Sequence, residues 1–146
     1  MKGKPRRTLE ELEGGDKWPK SPADTFLISR CVALRRKPLD EFNTEDLRMM
    51  IGQNIGLRYL IPLALDRLTR NPFVSGDFYR GDLLGVVLRA ERAFWLQSPS
   101  ELARAQELAV QALQKLPRLK TTDEIRASLV ESARDLLSLR RPARQR

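Results

Sequence analysis

The sequence predicts an all-α fold, a single-domain bundle of about five or six helices with a short amino-terminal arm and basic tails. Three observations carry this prediction. Apolar residues recur every three to four positions through most of the chain, helix-starting and helix-stopping residues flank each such run, and no alternation of period two persists with β-branched enrichment. At 146 residues the chain can bury about 70% of the surface its unfolded form exposes, so it needs neither a metal nor a disulfide to fold.

The organisation reads as a basic, disordered tail over 1–7, one helical domain over 8–139, and a second such tail over 140–146. Thr8 to Leu12 allows one helical turn, stopped by Gly14-Gly15. The next ten residues hold Pro19 and Pro22 among polar neighbours, an arm or loop that Trp18 anchors to the body. Pro22 to Pro38 reads as a helix begun by Asp24 or Ser21. Phe26, Leu27, Cys31 and Leu34 share one face, and Arg35-Arg36-Lys37 fill the last turn, where cations suit the helix dipole.

Asn43 to Pro72 is the most apolar and most periodic stretch. Asn43 or Thr44 caps a first helix running to about Ile55, with Glu45 and Asp46 in its first turn. Gly52 and Gly56 break the pattern, and a second helix, carrying Leu57, Leu60, Ile61, Ala64, Leu65 and Leu68, ends near Arg70. Pro62 either kinks it or sits in its first turn, and Asn71-Pro72 closes it. Two Gly-Asp pairs in Gly76 to Asp82 then predict a turn with Asp82 as N-cap of a helix through Ala90. Phe94 and Trp95 continue the apolar pattern as core. Ser98, Pro99 and Glu101 mark the start of a helix to Leu116, and Thr121 and Glu124 form a capping box for the last one. Ala105, Ala109, Ala112 and Ala133 allow these two helices to approach closely as an antiparallel hairpin.

The formal net charge is +8, and the four cations in each tail account for all of it; residues 8–139 hold 19 bases and 19 acids. The excess therefore predicts only weak, salt-sensitive attraction of the tails to nucleic acid, not a binding face. The longest apolar runs are far shorter than a membrane span, and the basic start is followed by TLEELEGG rather than an apolar segment, so the expected location is cytoplasmic, away from any membrane.

Histidine is absent, which removes the commonest general base, the commonest metal ligand and every Ser-His or Cys-His nucleophile. Cys31 is a lone thiol on an apolar face, expected to be buried. The paired acids Asp40/Glu41, Glu45/Asp46 and Asp123/Glu124 stand at predicted helix starts, where capping accounts for them. The glycines around Asp77 lack the lysine and hydroxyl residue of a phosphate loop. The reading is of a protein that is not an enzyme, with no catalytic, cofactor-binding or metal residues.

Several blocks in order resemble the immunity proteins of bacterial contact-dependent growth inhibition (CDI) systems: TLEELEG with Trp18 after it, DTFLISRCVALRRKPL (24–39), TEDLRMMIGQNIGL (44–57) followed by PLAL and NPF, and GDFYRGDLL (76–84). The resemblance spans roughly Thr8 to Ala90, with Val32 and Arg80 departing from the family's pattern. It implies a cytosolic protein that binds the toxic carboxy-terminal domain of a large secreted partner. Such toxins are often nucleases, and neutralisation is by tight stoichiometric binding. A neutral body does not suit nucleic-acid mimicry, so the expected interface is of mixed charge, with exposed arginines around an aromatic anchor. Its candidates are Arg30, Arg35, Arg36, Asp77, Phe78, Tyr79, Arg80 and Asp82. The alternative is a helix-turn-helix-like nucleic-acid binder, with Leu57 to Leu68 as recognition helix presenting Arg58, Tyr59 and Arg67.

Overall fold

Side chains of Thr8, Asn43 and Thr122 cap three of the helix starts among the described residues. The computed structural model describes residues 7–14 and 26–140, and among them the chain forms eight α-helices and no β-strand. They are α1 (Leu9–Leu12), α2 (Phe26–Arg35), α3 (Thr44–Gly52), α4 (Leu57–Arg70), α5 (Asp82–Leu88), α6 (Arg92–Gln97), α7 (Pro99–Lys115) and α8 (Asp123–Leu137), with 3-10 turns at Leu39–Glu41 and Leu116–Arg118. Trp18, Ser21, Pro22 and Asp24, and all of both tails save Arg7 and Arg140, lie outside the described residues.

The protein is an all-α, single-domain bundle. Its core joins α3, α4 and α5 to the antiparallel hairpin of α7 and α8, through Leu47, Leu60, Leu65, Leu84, Leu102 and Leu136 among others. Short α5 is buried on nearly every side, packed against α3, α4 and α8. Ala105, Ala109, Ala112 and Ala133 are buried in the core that the hairpin shares, as the small side chains require. Cys31 is buried, and burial holds its thiol above the usual value against the pull of Arg30.

Several expected details are corrected. Helix α3 ends at Gly52, not Ile55, because Asn54 adopts a left-handed conformation (φ 56°) and Ile55 N–H returns to Met50 C=O at 2.9 Å. Of the two places expected for Pro62 the first turn is excluded, since it lies inside α4. The expected helix through Ala90 stops at Leu88, and Trp95, fully buried, belongs to a separate helix, α6. Ser98 occupies the N-cap position of α7 without a side-chain cap, and α8 is capped by Thr122, whose hydroxyl accepts from Ile125 N–H at 3.1 Å, one residue beyond the expected Thr121.

Helix α1 carries a capping box between Thr8 and Glu11. Leu9 fills a notch that Gly56 leaves open: a Cβ there would lie 2.9 Å from the Leu9 methyls, on a residue already at φ 64°. Tyr59 Oη donates to Leu12 C=O at 3.2 Å, closing the same contact.

Candidate functional site

The site is built on the first turn of α3 and the loop over residues 76–82. Asn43 and Asp46 form a reciprocal cap, and Glu45 projects beside them. Glu45 Oε1 and Oε2 accept from Arg48 Nε and Nη2 at 2.6 and 2.5 Å, and Oε1 also accepts the Asp77 amide at 2.9 Å. Arg48's hydrogen bonds, opposed by partial burial and helped by the Asp77 amide and the charges of Arg48 and Arg30, hold the Glu45 carboxyl below the ordinary carboxylate range.

From the other side Asp82 folds the loop. Its Oδ1 accepts from Gly76 N–H at 2.7 Å, and its Oδ2 from Phe78 N–H at 3.1 Å and Tyr79 N–H at 3.4 Å. The two carboxylates converge on Gly76, where a Cβ would lie 2.6 Å from Glu45 Oε1 and 3.1 Å from Asp82 Oδ2. Only glycine leaves them room. The loop thus braced presents Phe78, 69% exposed, with its ring over the Arg48 guanidinium, 4.1 Å from carbon to centroid.

The structure brings some of the sequence candidates together and separates others. Asp77 and Arg80 are exposed on this loop, and Tyr79 is half-buried. Arg30 reaches the same region of α3, pairing with Asp46 at 3.4 Å while keeping 43% of its side chain exposed. Arg36, exposed, meets Glu10 of α1 at 3.5 Å on another part of the surface.

Two candidates are not exposed. Arg35 is 4% exposed and donates to Glu13 at 3.0 and 3.3 Å, fastening the end of α1 to α2. Asp82 is 2% exposed, and it does not cap α5: left-handed Gly81 stands at the N-cap position while the Asp82 side chain turns back to the loop amides. The Arg35 guanidinium is turned inward to Glu13 and the Asp82 carboxylate back to the loop amides, so neither charge faces solvent and the expected Asp82 cap is corrected.

Sequence reasoning missed Arg48 and reduced Glu45 to a helix-start acid, although their i,i+3 spacing is a legible ion-pair signal. It also missed a basic groove. Arg70, Arg80, Lys115, Arg118 and Lys120 line an open depression of about 640 Å³ whose lining includes Phe73 and Leu119 and no acidic residue. These cations come from the body of the chain and not from the tails, and the balanced total of residues 8–139 gives no sign that they converge.

The surface offered by the proposed recognition helix is spent internally. Arg67 donates to Thr44 Oγ1 at 3.1 Å and to Phe42 C=O at 2.5 Å, and Tyr59 is tied to Leu12. Of that helix's candidate contacts Arg58 alone stays exposed, which leaves the nucleic-acid alternative without a reading face. Among the described residues no group of three or more ligating side chains is placed to hold a metal ion, and no helix is long and apolar enough to cross a membrane.

A family model described as CDI immunity proteins matches residues 11–105, a span that contains α2 to α6, the Arg48–Phe78 contact and the whole 76–82 loop. No curated protein matches the chain.

Proposed function

The chain belongs to the CDI immunity proteins, and from that premise we propose that it binds the carboxy-terminal toxin domain of a large secreted protein one to one and blocks it by covering its surface. The action is binding rather than catalysis, in the cytoplasm of the producing cell, and the toxin is a nuclease.

The observation that carries this reading is Phe78, a large aromatic side chain held in the open on a loop whose amides are taken by two carboxylates. An exposed ring costs solubility and adds nothing to a monomer's core, whereas a desolvated aromatic anchor is what concentrates energy at an interface. Arg48 beneath it and Arg30, Asp77 and Arg80 near it interleave both signs of charge. That mixture supports pairing with a toxin surface of its own mixed charge and does not resemble an acidic imitation of nucleic acid. Because Glu45 and Asp82 fix the loop before binding, little ordering entropy is lost on association.

Co-purification tests the proposal. A tagged copy should retain the toxin domain encoded beside it through gel filtration as a single one-to-one species. Separate elution of the two at micromolar concentration would reject the reading.

A further inference from the structure

The basic groove lies at the far side of the same loop. Arg80 is its link: it bridges to Ser75 across the loop and lines the depression together with Arg70 from the end of α4 and Lys115, Arg118 and Lys120 from the end of α7 and the turn beyond. None of the five forms an ion pair with another described residue, whereas Arg30, Arg35, Arg36, Lys37, Arg48 and Arg104 all do. The negative ends of the α4 and α7 dipoles account for Arg70 and Lys115. They do not account for Arg80, Arg118 and Lys120, which stand outside those last turns, and five like charges in one depression repel unless an anion enters.

The walls are fixed. Asn71 Oδ1 accepts the Phe73 amide at 3.1 Å in a tight turn, and Arg126 donates to the carbonyls of Leu116 and Leu119, holding the 116–120 turn from behind. A groove shaped in advance in this way favours a ligand of defined geometry.

We infer that this groove receives a carboxylate-bearing peptide segment of the toxin domain, acidic side chains on the five cations and an apolar one over Phe73 and Leu119. The inference rests on the immunity reading and extends it. A peptide is favoured over a nucleic-acid strand by the apolar residues in the lining and by the acids that stand close in sequence, Asp77 beside Arg80 and Asp123 and Glu124 beyond Lys120, which a continuous phosphate backbone would meet. Lys115, Arg118 and Lys120 also fall outside the family match, which stops at residue 105, so this half of the interface suits recognition of one particular toxin.

The test compares the wild type with Arg118→Glu/Lys120→Glu and with Arg118→Gln/Lys120→Gln by calorimetric titration against the toxin domain. Both substituted sites are exposed, so the circular dichroism and thermal melts of the three proteins should coincide. The charge reversal should weaken binding by about thirtyfold or more and the neutral pair by about fivefold, with the wild-type affinity falling as salt is raised. Wild-type binding with both variants within twofold of it would overturn this inference alone. Failure of the wild type to bind would remove the immunity reading and this inference with it. A fluorescein-labelled 20-nucleotide RNA provides the other arm: micromolar binding near physiological salt that the charge reversal abolishes would assign the groove to nucleic acid and overturn the peptide.

Discussion

The guanidinium of Arg48 lies 4.1 Å beneath the centre of the Phe78 ring while its Nε and Nη2 donate to Glu45. One arginine therefore links the first turn of α3 to the tip of a loop more than two dozen residues away. Phe78 adds little to folding, since an exposed cation–π contact is worth about 0.5–1 kcal/mol. Phe78→Ala should shift the urea unfolding free energy by less than about 1 kcal/mol and weaken toxin binding by at least about thirtyfold. Parallel denaturation and calorimetry separate the two effects.

Gly76 should tolerate no side chain. The Cβ of Gly76→Ala would be forced into Glu45 Oε1 and Asp82 Oδ2, and the repacking should cost about 1–3 kcal/mol. Asp82→Ala leaves three loop amides without their acceptor and should cost about 2 kcal/mol, read in the same urea series.

Glu45 gives the loop a pH dependence. Its carboxyl titrates below the ordinary value of 4.5 in the folded protein, so the stability it contributes is complete above that value and is lost as pH falls through the lower, folded one. The stability gap between the wild type and Glu45→Gln should hold constant from neutral pH down to about 5 and narrow below about 4. Urea midpoints across that range check the sign.

Two neighbouring arginines should behave differently. Arg35→Ala strands Glu13 and opens a buried site, with an expected cost of about 2 kcal/mol, reduced from that of a fully buried pair because Glu13 is partly exposed. Arg36→Ala removes only an exposed pair with Glu10 and should change stability by less than about 0.5 kcal/mol. Chemical denaturation of both variants is sufficient.

The helices were legible because local signals specify them: the Asn43 cap, the apolar stripe of Leu57 to Leu68 and the alanines of α7 and α8 each act within a few residues. Asp82 was misjudged because a Gly-Asp pair before an apolar run looks the same whether the carboxylate turns forward to cap the helix or back to fold the loop. Tertiary geometry alone separates those outcomes. Arg35 and Arg36, adjacent in sequence, differ in burial because α1 covers one and not the other, and no periodicity in α2 encodes where a four-residue helix will dock. The basic groove was illegible for the same reason. Arg70, Arg80 and Lys115 are separated by a loop or by whole helices, and total charge, balanced over 8–139, hides their convergence.

The most direct test of the central claim is a titration of the toxin's activity with this protein at fixed toxin concentration well above the dissociation constant. Stoichiometric neutralisation predicts a linear fall to a sharp end point at one equivalent, with the Phe78→Ala curve displaced or rounded. Activity unaffected at several equivalents would contradict the account.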